Sequence, residues 1–230
     1  MNFSSRSYKK ELLDGDNIPF ADIQQNMQEL NFINTYLGGH AITIKGFKQI
    51  LANRKKITVC EIGCGGGDNL LAIYNWCRKS NIEVQLTGID YNKDCINIAA
   101  ARLPETHTRL ITSDYKESFF DNKPDIIFSS LFCHHFTNEE LLFMLIWMQE
   151  NAAAGFFIND LHRHFLAFYP IKILTRLFSK SYLVKNDAPL SVERAFIKKD
   201  WIDLLEKSGV KPYTITWKWA FRWLIISQVA

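Results

Sequence analysis

Four glycines crowd into five positions, Gly63 to Gly67, directly after a run of β-favouring residues that ends at Glu61 and Ile62. Glycine has no Cβ, so such a loop can turn tightly and lets a ligand lie against the main chain. Apolar periodicity resumes at Leu70, which predicts a helix whose free backbone amides face the loop. The spacing lacks the Gly-Lys-Ser/Thr of a phosphate-binding P-loop and differs from the dinucleotide fingerprint in the place of its third glycine. The loop therefore predicts a nucleoside site, with an ordinary tight strand-to-helix connection as the alternative.

Three further apolar runs end in polar residues, each where a parallel sheet would place a ligand crevice. The first of them ends in Asp90, where a doubly wound sheet carries the acid that binds a ribose diol. The second is followed by Ser113 and Asp114, and the third by a segment that contains His134 and His135. Because the carboxyl ends of parallel strands meet at one edge, these groups are predicted to line one crevice. Taken alone, Asp90 also fits a solvated loop acid.

At these four points the chain resembles the class I S-adenosylmethionine-dependent methyltransferases. The resemblance extends from about Ile57 to Phe157 and depends on the order of the motifs: glycine loop, acid, Ser-Asp pair, and the D-I-I-F-S-S-L-F-C-H-H-F segment that starts at Asp125. It implies S-adenosylmethionine as the cofactor. The positions that the resemblance assigns to cofactor binding are Glu61, Gly63, Cys64, Gly65, Asp90, Tyr91, Ser113, Asp114, Ser130 and Leu131.

The resemblance also implies a role for several of these positions. The backbone of residues 63–65 would hold the methionine end and the ribose, and Asp90 would bind the ribose hydroxyls. Tyr91 would pack on the adenine face, while Asp114 would accept a hydrogen bond from the adenine amino group. The residues by themselves ask for the same chemistry at two of these places, namely a carboxylate after the second strand and an uncovered backbone after the first.

The alternation of apolar strands and amphipathic helices predicts the α/β class, with a single-domain, doubly wound, mostly parallel seven-stranded sheet of Rossmann-like type. The expected strands lie near 57–62, 84–90, 108–112, 125–130 and 155–160, with a terminal pair at 211–219 and 221–227. Helices are expected between them. A helix over 198–207 is predicted to end at Gly209.

The chain is expected to divide into an N-terminal helical cap, residues 1–53, and a methyltransferase core, residues 54–230, within one domain. The helices expected in the cap are 21–37 and 44–52. The pair Gly38 and Gly39 is predicted to end the first of these helices. After the fifth strand, residues 161–197 are expected to form an inserted helical lid over the substrate.

Length, charge and cysteine content limit the class of protein. A chain of 230 residues with 47% hydrophobic and 22% charged residues fits one buried α/β core. A formal net charge of +3 is too small to argue for a nucleic-acid partner. Five cysteines, an odd number that falls mostly within predicted elements, favour reduced thiols and a cytoplasmic location. The sequence shows neither a secretory h-region nor an apolar run of membrane-spanning length.

A metal site is one alternative for the cysteines. Cys60 and Cys64 together with His134 and His135 offer four ligand types that zinc accepts. Cys60, however, is expected to point into the core from its strand, so no metal is predicted.

Two polar clusters supply the candidates for catalysis. His135, directly after the fourth strand, can act as a general base on a phenol or hydroxyl because an imidazole titrates near neutrality. The alternative is that His134 and His135 orient the loop backbone and enclose the methionine moiety. Asp160 follows the fifth strand in an equivalent place, with His162 and His164 beside it. His135 and Asp160 are therefore the predicted catalytic residues.

The segment from Leu161 to Lys185 contains five basic residues and no acidic one. Pro170 is predicted to lie in the first turn of a mostly apolar helix that has a narrow stripe of Lys172, Arg176 and Lys180. Such a helix fits a lid over an apolar substrate. A weak contact with an anionic membrane surface through 161–185 is one alternative, and an ordinary packed helix with a solvated basic edge is another.

These features predict an S-adenosylmethionine-dependent methyltransferase that acts on a small, largely apolar acceptor of aromatic, polyketide-like, quinone-like or lipid-like type. Oxygen is the favoured acceptor atom and carbon the second. Nitrogen in proteins or nucleic acids is disfavoured, because Ser129 to Phe132 replace the N-P-P-Y type motif of amino-methylating relatives. The alternative from another functional class is a non-catalytic nucleoside-binding module with the same fold. A nicotinamide-dependent oxidoreductase is disfavoured by the glycine spacing and by the lack of a Tyr-x-x-x-Lys pair.

Overall fold

A computed structural model describes residues 3–15 and 17–229. The helices are α1 (Phe20–Tyr36), α2 (Gly39–Leu51), α3 (Asp68–Lys79), α4 (Lys93–Ala100), α5 (Asn138–Asn151), α6 (Phe165–Phe178), α7 (Tyr182–Arg194) and α8 (Lys198–Ser208). The strands are β1 (Lys56–Ile62), β2 (Glu83–Asp90), β3 (Thr108–Thr112), β4 (Ile126–Ser130), β5 (Gly155–Leu161), β6 (Tyr213–Lys218) and β7 (Arg222–Gln228). Residues 1, 2, 16 and 230, which the predicted cap and core include, lie outside the described residues.

The seven strands form one sheet in the order β3-β2-β1-β4-β5-β7-β6. Strands β1 to β5 are parallel, whereas β7 runs antiparallel to both of its neighbours, β5 and β6. The chain order reverses between β1 and β4, so the loops that follow these two strands diverge and leave a crevice at the carboxyl edge. The predicted fold class is confirmed, and each predicted strand is present with its ends shifted by at most one or two residues.

Alternate residues of the central strands pack on opposite faces of the sheet. On β5, Phe157 joins a cluster that includes Phe47 of α2 and Leu70 of α3, whereas Phe156 and Ile158 join a cluster with α5 and α8. This period of two is what a strand that is covered on both faces requires. The two layers of helices hold the sheet rigidly, so the crevice at its carboxyl edge has fixed walls.

Helix α2 begins at Gly39, five residues before the predicted start at Ile44. Gly38 has a left-handed backbone conformation, with φ 76°. It lies between the end of α1 and the start of α2, and it is the N-cap of α2. A Cβ at Gly46 would lie 2.6 Å from the Phe157 ring, so this glycine lets α2 lie close against the sheet. Helix α2 is therefore part of the layer that covers the sheet. Of the two helices that were predicted to form the cap, only α1 lies above the crevice, where its Ile23 packs against α4.

The inserted segment forms two helices, α6 and α7, which pack against each other. The prediction that Pro170 lies in the first turn is wrong, because α6 begins five residues earlier at Phe165. His164 caps the helix, and its Nδ1 accepts a hydrogen bond from the Leu166 N–H at 3.1 Å. Pro170 therefore lies in the second turn, where its ring removes one hydrogen bond of the helix.

Candidate active site

A cavity of about 800 Å³ opens at the carboxyl edge of the sheet, next to the ends of β1 and β4. All ten positions predicted to bind the cofactor line it, as does the predicted catalytic residue His135. The lining cofactor positions are Glu61, Gly63, Cys64, Gly65, Asp90, Tyr91, Ser113, Asp114, Ser130 and Leu131. Asp160 is the exception, since it is buried behind the wall and does not line the cavity. The volume is within the range of sites that bind a cofactor-sized molecule.

The glycine loop adopts a backbone that side chains would resist. Gly63, Gly65 and Gly67 have φ values of 65°, 50° and 75°, all in the left-handed region. A Cβ at Gly63 would also overlap the ring of Phe132, which follows β4. The loop backbone thus lies directly beside the β4 loop, and at Gly63, Gly65 and Gly66 it lines the cavity without a side chain.

Asp90 connects the end of β2 to the glycine loop. Its Oδ2 accepts a hydrogen bond from the Gly65 N–H at 2.8 Å, and its Oδ1 accepts one from the Asn92 N–H at 2.9 Å. Burial raises the pKa of Asp90 above its ordinary value, although these two hydrogen bonds oppose the shift. Each carboxylate oxygen has a second lone pair, so the side chain can still accept two hydroxyl groups from a ligand.

Glu61 lies beneath the loop and is almost completely buried. Its Oε1 accepts a hydrogen bond from Asn69 Nδ2 at 3.1 Å, and Oε2 has no hydrogen-bond partner among the described residues. Burial raises the pKa of this carboxyl group well above its ordinary value. The oxygen without a partner marks this side of the crevice as a place where a ligand donor would be stabilised.

The opposite end of the crevice is more open. Tyr91 is 63% exposed and presents its ring to the cavity. Ser113 Oγ donates a hydrogen bond to the Asp114 carbonyl oxygen at 3.1 Å, and Asp114 Oδ1 accepts one from the Lys116 N–H at 3.0 Å. These contacts fix the loop after β3 beside an aromatic face, which suits a flat, polar-edged ring such as a nucleobase.

Asn159 on β5 holds the end of β4 in place. Its side-chain Nδ2 donates a hydrogen bond to Ser130 Oγ at 3.3 Å, and its backbone carbonyl oxygen accepts one from the Leu131 N–H at 2.9 Å. Leu131 has φ 55°, an uncommon value for a residue with a side chain. The sequence analysis did not single out Asn159, because a buried amide in an apolar strand has no spacing signature.

His134 is paired with Asp160 on the cavity wall. Its Nδ1 lies 2.8 Å from Asp160 Oδ1, and since a carboxylate only accepts, the imidazole donates from Nδ1. Burial alone would raise the pKa of Asp160, but the charge and hydrogen bond of His134 outweigh it and hold that pKa below its ordinary value. Asp160 therefore reaches the cavity only through His134, which leaves the other nitrogen, Nε2, of His134 on the cavity side.

His135 forms a second imidazole-carboxylate pair, with a residue of the N-terminal segment. Its Nδ1 lies 3.1 Å from Asp14 Oδ1. The Nε2 atoms of His134 and His135 lie 3.7 Å and 3.8 Å from the two oxygens of Glu11. Burial raises the pKa of Glu11 to about 7, although the charge of His135 opposes the shift. The sequence analysis missed Glu11 and Asp14, because isolated acids in a polar N-terminal segment carry no pattern.

Arg194 of α7 fastens this arrangement. Its guanidinium donates hydrogen bonds to the carbonyl oxygens of Lys9, His134 and His135. The Nε atom also lies 3.9 Å from a carboxylate oxygen of Glu11. Helix α7 thereby joins the N-terminal segment to the loop after β4.

One group of side chains has the geometry of a metal site. Among residues 3–15 and 17–229, Glu11, His134 and His135 are the one set of three whose donor atoms all lie within 4.8 Å of one another. Arg194 already supplies positive charge beside this carboxylate. The cysteine-containing alternative is not formed, because Cys60 is completely buried in the core and belongs to no such set.

Apolar side chains surround the mouth of the cavity. Helix α1 contributes Leu30 and Ile33, and Leu37 follows directly after it. Helix α6 contributes Leu166, Pro170, Ile171 and Leu174, and the turn between β6 and β7 contributes Trp219. The polar crevice and this apolar mouth are parts of one cavity. None of the helices in the described part of the chain is long and apolar enough to cross a membrane.

Residues 59–150 match the family described as a methyltransferase domain. This segment begins on β1 and ends on α5, so it contains the glycine loop, Asp90 and both histidines of the β4 loop. The match thus covers the motifs on which the sequence resemblance depends.

Several solved structures share the fold. A SAM-dependent methyltransferase from Aquifex aeolicus has a TM-score of 0.63 at 15% identity, covering 93% of this chain and 100% of its own. Magnesium protoporphyrin IX methyltransferase from Synechocystis PCC 6803, solved with bound SAM, has a TM-score of 0.57 at 12% identity, covering 94% and 100%.

Human N-acetylserotonin methyltransferase, solved in complex with SAM, has a TM-score of 0.62 at 15% identity and covers 91% of this chain. This chain spans 56% of the length of that enzyme. With the sheet order and the glycine loop, the match of residues 59–150 to a methyltransferase domain confirms the predicted resemblance to the class I S-adenosylmethionine-dependent methyltransferases and the predicted cofactor.

Proposed function

We propose that this protein transfers a methyl group from S-adenosylmethionine to a hydroxyl oxygen of a small, largely apolar acceptor. The observation that carries the proposal is that a single cavity has a polar, glycine-lined crevice on one side and an imidazole pair beneath an apolar mouth on the other. The first part suits a nucleoside and an amino acid, and the second suits an apolar molecule with one ionisable oxygen.

The cofactor would lie along the crevice in the direction that the residues dictate. The backbone of residues 63–65 and the carboxyl group of Glu61 would meet its methionine end. Asp90 would accept the two ribose hydroxyls, while Tyr91 would cover one adenine face. Asp114 is free enough, with its side chain 47% exposed, to accept the adenine amino group.

The transfer needs positioning more than acid or base strength, because the sulfonium methyl carbon is already electrophilic. The acceptor oxygen attacks this carbon in line, the carbon–sulfur bond breaks, and S-adenosylhomocysteine leaves as a neutral thioether. A hydroxyl acceptor must also lose its proton. His134 Nε2 can take that proton, since Nδ1 of the same ring keeps its own proton on Asp160.

Asp160 in this proposal is a positioning residue, and His135 meets the acceptor oxygen beside His134. The two rings lie 4.5 Å apart between centroids, and the Glu11 carboxylate lies within 3.8 Å of both Nε2 atoms. The apolar mouth formed by α1 and α6 favours an aromatic, polyketide-like, quinone-like or lipid-like body over a sugar. Methylation at carbon would use the same cavity without requiring the imidazoles.

Transfer of labelled methyl from S-adenosylmethionine tests the proposal. Small molecules from a cell extract, divided into an organic and an aqueous fraction, serve as candidate acceptors. Label should enter the organic fraction. The product should lose the labelled methyl group under conditions that cleave a methyl ether or a methyl ester. Label found only in protein or nucleic acid, or binding of S-adenosylmethionine without any transfer, would overturn the assignment.

A further inference from the structure

Helix α6 exposes an apolar face that a solvent-facing helix does not need. Only Phe168 and Thr175 among its residues are buried. The exposed apolar side chains, each 45–77% accessible, are Phe165, Leu166, Tyr169, Ile173, Leu174, Leu177 and Phe178. Single exposed apolar residues are normal, but seven on one helix form a continuous patch that calls for a partner.

The lysine and arginine side chains of residues 161–185 are not accompanied by any acidic residue of the same segment. Lys172, Arg176 and Lys180 are exposed on or just after α6, and Lys185 follows on α7. No acidic residue lies between 161 and 185. The carboxylate of Glu29, which approaches from α1, accepts hydrogen bonds from Ser179 Oγ and from the backbone N–H groups of residues 180 and 181. The positive charge of the face is thus left for an external anionic partner.

Two other elements that line the cavity also expose aromatic residues. Phe32 and Tyr36 of α1 are 62% and 73% exposed, and their ring centroids lie 4.4 Å apart. Trp219, in the turn between β6 and β7, is 71% exposed. Three of the exposed residues, Leu166, Leu174 and Trp219, also line the cavity. The cavity therefore opens within the patch.

We propose that this patch, called the α6 surface and made of the exposed face of α6 with Phe32, Tyr36 and Trp219, docks on an anionic lipid bilayer. Apolar residues enter the headgroup region while Lys172, Arg176 and Lys180 meet lipid phosphates, as in helices that lie in the membrane interface. If the proposed function holds, the acceptor is a bilayer-resident lipid that enters the cavity without crossing water.

A bilayer suits this surface better than a folded protein partner does. Tryptophan and tyrosine prefer the interfacial zone, and lysine and arginine can extend along apolar surface to reach headgroups. A protein interface with an apolar core is usually depleted of lysine, whereas here lysines border the patch. The patch is centred on one helix, which matches a fluid surface that adapts to the protein.

Flotation with lipid vesicles tests the docking. The full chain, loaded with S-adenosylhomocysteine, is mixed with vesicles of phosphatidylcholine alone or with about a third phosphatidylglycerol, where each basic residue contributes roughly fivefold to binding. The protein should float with the anionic vesicles, and raised salt should release it. Failure to float with them, or equal flotation with neutral vesicles, would overturn the proposal.

Charge reversal supplies matched variants. Changing Lys172, Arg176 and Lys180 together to Glu should weaken binding on the order of a hundredfold. The control changes Lys55, Lys79 and Lys207 to Glu, which alters net charge equally at exposed positions. The three control positions lie near the amino ends of the strands, opposite the cavity. Equal loss in both variants would mean that net charge alone drives binding, and the α6 surface would not be the site.

The apolar contribution is tested in the same way. Leu177→Ser and Phe178→Ser remove the two most exposed side chains of α6, neither of which lines the cavity. Their combination should lower vesicle binding at least tenfold, whereas Phe119→Ser, at a side chain that is 86% exposed elsewhere, should not change it. Binding unchanged by the double substitution would overturn the proposal.

Hydrogen exchange separates docking from the proposed function. Anionic vesicles should protect residues 165–178 and the turn at Trp219, but not α5, which also exposes Phe143 and Ile146. Calorimetry with S-adenosylhomocysteine should give the same affinity for all these surface variants. Vesicle binding with no methyl transfer to any acceptor would refute the function and keep the docking, while transfer to a soluble acceptor without vesicle binding would do the reverse.

Discussion

His134 Nδ1 lies 2.8 Å from Asp160 Oδ1, and both side chains are buried where β5 meets the loop after β4. The hydrogen bond fixes the imidazole ring and its tautomer, so the nitrogen that faces the cavity is a lone-pair acceptor. A histidine held in this way takes a proton without first having to reorient. The neighbouring His135 is held by Asp14 in the same manner, at 3.1 Å.

Asp160→Asn should lower turnover on a hydroxyl acceptor by roughly a hundredfold, because an amide keeps the shape but gives His134 a poorer partner. His134→Ala should have a similar effect, and the double variant should be little worse, since the two residues act as a unit. His135→Ala should act independently of both. Calorimetry must show that each variant still binds S-adenosylhomocysteine as the parent does. Unchanged turnover in Asp160→Asn, His134→Ala and His135→Ala would exclude the imidazoles from the proton transfer and favour an acceptor that is already ionised.

Asp90→Ala should weaken cofactor binding by about 1.5–3 kcal/mol, because it removes charged hydrogen bonds to the ribose and the anchor of the Gly65 amide. The parent affinity is expected to be roughly micromolar, about 8 kcal/mol. Asp121→Ala, at an exposed acid outside the cavity, is the matched control. Equal affinity in parent and Asp90→Ala would show that the ribose lies elsewhere.

Gly63→Ala should lower the free energy of unfolding by more than the cost of an alanine in a left-handed backbone, since the added Cβ would overlap the Phe132 ring. Gly209→Ala is the control, because Gly209 has φ 73° and its Cβ would meet nothing within 4 Å. The control should cost about 1 kcal/mol of unfolding free energy, and Gly63→Ala clearly more. Urea denaturation measures both. Combining Gly63→Ala with Phe132→Ala should recover part of the difference, and no recovery would argue against the steric explanation.

Glu11→Gln should change how the stability of the protein depends on pH. The unfolded chain releases this proton near pH 4.5 and the folded chain near pH 7, because burial raises the pKa. Neutral Glu11 therefore contributes stability that is fully present below pH 4.5 and is lost as the pH rises to about 7.

The variant cannot ionise, so above pH 7 it should exceed the parent by on the order of 3 kcal/mol relative to their difference at low pH. Denaturation at a series of pH values measures this change. Glu139→Gln, at an exposed residue of α5, should shift stability by less than about 0.5 kcal/mol. A difference between parent and Glu11→Gln that does not vary with pH would show that folding leaves the pKa of Glu11 unchanged.

The sequence by itself determined the sheet and the cofactor crevice, because both depend on local patterns. Apolar runs of strand length, the glycine loop and Asp90 sit at fixed places along a doubly wound chain, and parallel strands bring such places to one edge. The sequence did not determine where the helices begin. The start of α2 at Gly39 and the position of Pro170 within α6 depend on how each helix packs, which local composition does not encode.

Only the tertiary structure decided how the acceptor side is built. Glu11 and Asp14 reach the histidines from more than a hundred residues away, and Asp160 stands behind His134 and does not line the cavity. The sequence did not show that α6 is exposed either, because an apolar helix has the same sequence pattern whether or not a neighbouring element covers it. Contacts between distant segments depend on the closing of the whole fold, and no spacing in a linear sequence records which side chains that closing brings together.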